Sequence, residues 1–394
     1  MSVLLGILYH ERTLTTLQDS LQAFSSSIAS LLSSRAVLSS VGVGDSTASP
    51  TAALLLSVLQ DSFGRIATIA FAHRFGTALE PECKMYRLLA DVLNDFAFIL
   101  DCLSPIFPKP VRVIVLSVSS VLRALCGVAA GSAKASLSAH FAQCGNLGEL
   151  NAKDASQETV ISLVGMLVGS VVVSWITTPF ATWTTLILLL SVHLETNRRA
   201  VRAVMMRTLS RQRASLVLRH LEQGRVPTPR EIADEERIFE WDGVLRTAND
   251  AVVGHCTIGC SMATLLKALG PRHDVSMSTQ LADDLLERLL AKFSSRGYIL
   301  WYTAVSDRLQ VYVVLKAGHN PEDRVLAWWQ AQLLTGRIAT ESSVGWALEL
   351  LGQTAAAATM LLEEHKKGLI DAGWDLETNA METGSSIRIH IGKH

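Results

Sequence analysis

The sequence predicts a mainly α fold: a hydrophobic helical bundle of membrane type, followed by a small α+β domain with the order β-α-β-β-α-β of a ferredoxin-like sandwich. Three observations lead there. Hydrophobic residues make up 49% of the 394 and charged residues only 18%, with a mean hydropathy of +0.30, whereas a soluble domain is about a quarter charged. The charge is uneven, with 24 charged residues up to Glu195 and 47 after it. From Thr159 to Leu194 there are 36 residues without Asp, Glu, Lys or Arg. Domains are expected at 1–225 and 251–394, with a Pro-containing linker over 226–250 around "GRVPTPREIADEE".

The elements follow in order. The opening "MSVLLGILYHER" lacks the basic n-region and A-x-A site of a signal peptide. Over 12–40, Leu14, Leu17, Leu21, Phe24, Ile28 and Leu31 recur at three and four, which is helical spacing, and the other face is rich in Ser and Thr. Gly42-Val43-Gly44-Asp45 opens like a nucleotide loop. It lacks the third glycine of a dinucleotide fingerprint, so it reads as a helix end and a turn. Residues 51–74 form a second apolar helix, carrying Asp61 and Arg65.

Helix 83–101 is the most informative polar element. Met85, Leu88, Leu89, Val92, Phe96 and Ile99 make one apolar face, and Lys84, Arg87, Asp91, Asn94 and Asp95 lie opposite. In a soluble protein such a face is solvated. Beside membrane helices its charges would be costly and would mark a polar cavity. Asp61 and Arg65 are candidates to join it.

After Pro105, Pro108 and Pro110, residues 111–135 are long enough to span a bilayer if Arg123 is accommodated. Gly127 and Gly131 form a G-x-x-x-G, a spacing that allows close helix approach. The charge-free segment reads as two helices, about 158–176 and 180–194, broken near Pro179. The first would be capped by Asp154 with Gln157 and would present Gly165 and Gly169 as a second G-x-x-x-G. Two readings stand: membrane spans, or fully buried helices of a soluble bundle.

Residues 196–225 hold eight Arg and one Glu. Arg198, Arg199, Arg202, Arg207, Arg211 and Arg213 directly follow the apolar hairpin, which predicts contact with lipid headgroups on the cytosolic, matrix or stromal side. The stretch has no aromatic residue and the net charge is -1; no nucleic-acid partner is expected. Beyond it, strands are predicted at 252–258, 297–304, 308–315 and 385–391, with a turn at Ser306 and Asp307. Helices are predicted at 279–294, after Pro321, and at 345–371.

No catalytic, metal or cofactor set emerges. Of the six cysteines, Cys83, Cys102, Cys126 and Cys144 sit singly, and Cys256 with Cys260 lacks the second ligand pair of a zinc site. G-x-S-x-G, C-x-x-C and the P-loop pattern are missing. No phosphate cup or Schiff-base lysine stands out. The expectation is a non-enzymatic protein without cofactor.

Six stretches in order carry a family resemblance: "LQAFSSSIASLLSSRAVLSSVGVG" (21–44), "DSFGR" (61–65), "KMYRLLADVLNDFAFILDCLSPIFP" (84–108), "CGVAAGSAKASLSAHFA" (126–142), "LNAKDASQETVISLVGMLVG" (150–169) and "TLSRQRA" (208–214). Together they resemble the root UVB sensitive family over about residues 15–240. The segment before Leu21 departs from the tyrosine- and tryptophan-containing opening of such proteins. The resemblance implies a eukaryotic, membrane-associated protein without an established reaction. Its plant relatives act in seedling development, root responses to UV-B, auxin transport and vitamin B6 balance, and some reside in plastids. The expected role is a membrane scaffold or regulator whose partners are lipids and another protein, with another family member as the first candidate. A small-solute or ion transporter and a soluble regulatory binding protein are the alternatives.

Overall fold

The computed structural model describes residues 2–40, 42, 49–141, 146–270, 279–305, 308–337, 344–384 and 387–390. Gly44, Asp45, Cys144 and the turn at Ser306 and Asp307 lie outside the described residues. The chain divides into two compact units, 1–204 and 205–394.

The first unit is all helical: α1 (Ser2–Ser40), α2 (Pro50–Phe75), α3 (Cys83–Leu103), a short 3-10 turn (Ser104–Ile106), α4 (Lys109–Phe141), α5 (Leu147–Trp175) and α6 (Pro179–Ala203). Helix α1 packs on α3, α5 and α6, while α4 packs on α2 and α3. A small apolar knot of Ala29, Leu32, Phe98, Cys102, Leu186 and Leu190 joins α1, α3 and α6.

The contact of α5 with α1 depends on two glycines. A Cβ at Gly165 would stand 2.9 Å from the Ser27 Cβ and 3.1 Å from the Phe24 carbonyl. At Gly169 it would stand 2.8 Å from the Leu31 side chain and 3.3 Å from the Ile28 Cα. Gly127 and Gly131 differ, since nothing lies within 4 Å of a Cβ built on either. The packing expected of them is not made within this unit; the small residues α4 buries are Ser117, Ser119, Ala129, Ala133 and Ser138.

The break near Pro179 is as predicted, but α5 begins at Leu147, not near residue 158. Asp154 is therefore no cap. It lies inside the helix, where its carboxylate accepts from Lys134 at 2.8 Å. The far end of α5 is capped by Arg35 of α1, whose guanidinium donates to the carbonyls of Val173 at 2.9 Å and Ile176 at 2.7 Å, and to the Thr182 hydroxyl at 3.1 Å. A cation there also opposes the negative end of the helix dipole. The Thr178 hydroxyl accepts from the Ala181 amide and Pro179 takes the first turn, so α6 starts at once.

Three of these helices are long and apolar enough to cross a membrane: Ala53–Phe75, Lys109–Phe141 and Leu147–Trp175. The shortest has 23 residues, about 35 Å at 1.5 Å per residue, against a hydrocarbon core of about 30 Å. Their outer faces expose Leu54, Leu55, Ile66 and Ile69 on α2, Ile114 on α4, and Leu163, Leu167 and Trp175 on α5. Each such side chain left in water forgoes about 1.5–3 kcal/mol of burial.

The second unit comprises α7 (Arg211–Glu222), α8 (Pro229–Glu235), β1 (Val244–Arg246), β2 (Val252–Ile258), α9 (Met262–Leu269), α10 (Thr279–Lys292), β3 (Tyr298–Val305), β4 (Arg308–Lys316), α11 (Pro321–Thr335), α12 (Val344–Asp371) and β5 (Arg388–Ile389). The sheet runs β1-β2-β4-β3, with β2 and β4 parallel, β3 and β4 antiparallel, and β5 parallel to β4 beyond the end of β2. A ferredoxin-like sheet would seat its last strand beside β2. Here β1 holds that place, so only the β2-β4-β3 centre follows the expected pattern. The core is anchored by Trp328 and Trp329, both fully buried, whose indole N–H groups donate to Ser215 and to the Ala214 carbonyl on α7.

Residues 226–250 are not a linker. Thr228 and Glu231 form a capping box that starts α8 on Pro229, and β1 follows. Arg211 and Arg213, expected at lipid headgroups, are 5% and 2% exposed. Arg211 donates to Asp242 and to the Met381 carbonyl, and Arg213 to Glu236 and the Thr208 carbonyl. Arg207 is half-buried in the same unit, where its carbonyl accepts from the Asp375 amide.

Two substitutions separate the glycine pairs. Gly165→Val should lower the stability of the detergent-solubilised chain by about 1–3 kcal/mol, as overpacking does. Gly131→Val should stay within about 0.5 kcal/mol of the parent; thermal unfolding measures both. Arg213→Ala removes the guanidinium that answers the buried Glu236, and should cost about 3–5 kcal/mol in denaturant unfolding followed by tryptophan fluorescence.

Candidate functional site: a polar cavity among five helices

Helices α1, α3, α4, α5 and α6 line an open cavity of about 600 Å³. The Ser-rich face of α1 supplies Asp19, Gln22, Ser26 and Ser30, and α3 supplies Arg87, Asp91 and Asn94. Arg123 and Lys134 come from α4, Lys153, Asp154 and Glu158 from α5, and His193 and Asn197 from α6.

These groups and the side chains behind them form three sets, the first two joined through Asp91. In the first, Arg87 Nη2 donates to Asp19 Oδ1 at 3.3 Å and Gln22 Oε1 at 3.2 Å, while the Gln22 amide donates to Asp91 Oδ2. In the second, His193 Nδ1 meets Asp95 Oδ1 at 2.8 Å, and its Nε2 lies 3.8 Å from Asp91 Oδ2. In the third, Arg123 pairs with Asp101 and donates to Ser33 at 3.0 Å, and the Ser33 hydroxyl donates to Asp101 at 2.6 Å. Between α4 and α5, Lys134 bridges Asp154 and Glu158 at 2.8 Å and 2.7 Å. Among the described residues of the helical unit, the buried oxygens without a hydrogen-bond partner include Asp95 Oδ2, Asp101 Oδ1 and Asn197 Oδ1.

Of the residues the sequence proposed for a polar cavity, Arg87, Asp91 and Asn94 line it. Asp95 stands behind it, holding His193. Lys84 is buried at the start of α3 without lining the cavity. Asp61 and Arg65 do not reach it. They are exposed on α2, which meets α4 through Gly64 between them. Sequence reasoning missed Asp19, Gln22, Arg123, Lys134, Asn197 and His193. His193 did leave a signal, as the one ionisable group in the charge-free run.

Arg198 and Arg199 donate to Glu195 at 2.7 Å on the exposed end of α6, and these guanidiniums hold the Glu195 carboxyl down to about 2. Arg202 is exposed on the same end. In the second unit burial pushes the Cys256 thiol up to about 12 and Cys260 to about 11, so both stay protonated and inert. No group of three metal-binding side chains occurs among the described residues.

A family model described as "Vitamin B6 photo-protection and homoeostasis domain" matches residues 16–224, which covers the helical unit and α7. The chain belongs to the root UVB sensitive family. It is 40% identical over 226 residues to RUS family member 1 of Dictyostelium discoideum, covering 56% of this chain and 43% of that protein. It is 34% identical over 236 residues to Protein root UVB sensitive 3 of Arabidopsis thaliana, covering 59% and 53%. With Protein root UVB sensitive 2, chloroplastic, of the same plant, it shares 27% over 236 residues, covering 59% and 54%. The match to these relatives thus spans about half of their length. No solved structure matches the chain.

His193→Ala removes the partner of a buried carboxylate and should destabilise the helical unit by about 3 kcal/mol. Adding Asp95→Asn should recover much of that loss, because a neutral amide needs no counter-charge. A double-mutant cycle by thermal unfolding measures the coupling.

Proposed function

We propose that this root UVB sensitive protein sits in a membrane through its helical unit and binds a small polar solute inside that unit, as a carrier or a solute-responsive regulator, without catalysis. One observation carries this reading: charged and amide side chains from α1, α3, α4, α5 and α6 converge on one cavity of about 600 Å³, inside a bundle whose outer helices expose apolar side chains. Intramembrane charges are costly and usually mark a solute or ion path. The volume suits a molecule of metabolite size. The family description supports a B6 vitamer as the first solute to try. The exposed Arg198, Arg199 and Arg202 suit anionic headgroups, and an organellar or endomembrane location is part of the proposal.

A scaffold role is the second reading. It rests on the α+β unit, where Phe239 and Trp241 are exposed beside the edge strand β1. Its partner would be a protein, with another family member the first candidate; co-purification lost on Trp241→Ala would support it.

Carbonate extraction tests the membrane assignment, and release into the supernatant would sink it. Calorimetry of the purified chain with pyridoxal, pyridoxine and pyridoxamine tests the cavity. Ser30→Trp, which fills the cavity, should weaken solute binding more than tenfold while thermal stability changes little.

A further inference from the structure

We infer that this cavity is built for a zwitterion: Arg87 takes the solute's acid group, while Asp91 takes its ammonium. The inference rests on the solute-binding reading of the same cavity and specifies its ligand.

Arg87 and Asp91 are one helical turn apart on α3 and both face the cavity. Residues at that spacing are neighbours on one helix face. Each is only partly used by the protein. The bonds from Arg87 all leave Nη2, and its Nε and Nη1 have no acceptor among the described residues. Each of those nitrogens can donate one charge-assisted hydrogen bond to an acid oxygen. Asp91 gives Oδ2 to Gln22 and keeps Oδ1 for the cavity.

Charge balance excludes the simpler ligands. Among the described residues, four carboxylates and four Lys or Arg side chains line the cavity, apart from His193. A purely anionic solute would answer Arg87 and leave Asp91 Oδ1 facing it; a purely cationic one would do the reverse. In a low-dielectric interior each mismatch is costly. A solute carrying both charges a few ångströms apart satisfies both residues together.

The test uses the full chain in lipid nanodiscs and calorimetry with 4-aminobutyrate, butyrate, butylamine and 1,4-butanediol. The expected result is binding of 4-aminobutyrate, with each single-charge analogue at least about tenfold weaker, the loss of one charge-assisted hydrogen bond. Arg87→Gln should erase the preference over butylamine, and Asp91→Asn the preference over butyrate. Arg87→Lys keeps the charge toward Asp19 and should retain binding, which separates recognition from misfolding. Equal affinity for 4-aminobutyrate and either single-charge analogue or the diol overturns the inference and leaves solute binding standing. Binding of pyridoxine without 4-aminobutyrate does the same. Binding of none of these probes, nor of any B6 vitamer, overturns both.

Discussion

The buried carboxylates of α3 are the constraint on which the helical unit depends. An apolar bundle tolerates a charge only where another group answers it. Asp91 is answered by Gln22 of α1, Asp95 by His193 of α6, and Asp101 by Arg123 of α4 with Ser33 of α1. Each acid thus ties α3 to a different neighbour. The price of burying them is a unique registry, since sliding any of these helices by one turn would leave a carboxylate unpaired. Arg87 and Asp91, which keep polar atoms without a partner among the described residues, both line the cavity.

The rest of the unit follows from keeping the backbone satisfied in the same apolar setting. Arg35 caps the last carbonyls of α5 from across the bundle. Arg112 does the same around the 3-10 turn, donating to the carbonyls of Ser40, Ser104, Pro105 and Phe107. Helix ends need such partners wherever water is scarce. With these clamps inside, α2, α4 and α5 are free to turn apolar side chains outward, and Gly165 and Gly169 let α5 lie close against α1.

One arginine-rich run serves two different purposes. Arg198, Arg199 and Arg202 end α6 on an exposed, charge-paired surface. Arg211 and Arg213, only a few residues later, are buried counter-ions of Asp242 and Glu236 in the α+β unit. Composition sees eight arginines; a division of the chain after Val204 separates them. The family model reaches to residue 224, so it includes α7, which the tryptophans of α11 hold in the second unit.

Local pattern was enough for the apolar helices, the break at Pro179, the Gly165–Gly169 face and the α3 face with Arg87, Asp91 and Asn94. Each is written within one helix turn or one composition window, and the physics that reads it is equally local. Six quoted stretches were also enough for the family. Tertiary structure alone decided that Asp61 and Arg65 stay outside while Asp19, Gln22, His193 and Asn197 come in, because those groups lie tens to more than a hundred residues from Asp91 along the chain. It also decided that the last strand joins β4 and not β2, and that Gly127 and Gly131 face open space. A charge on a helix face has the same sequence signature whether it meets solvent or a counter-charge. Which it meets depends on the helix packed opposite, and one-dimensional spacing carries no information about that.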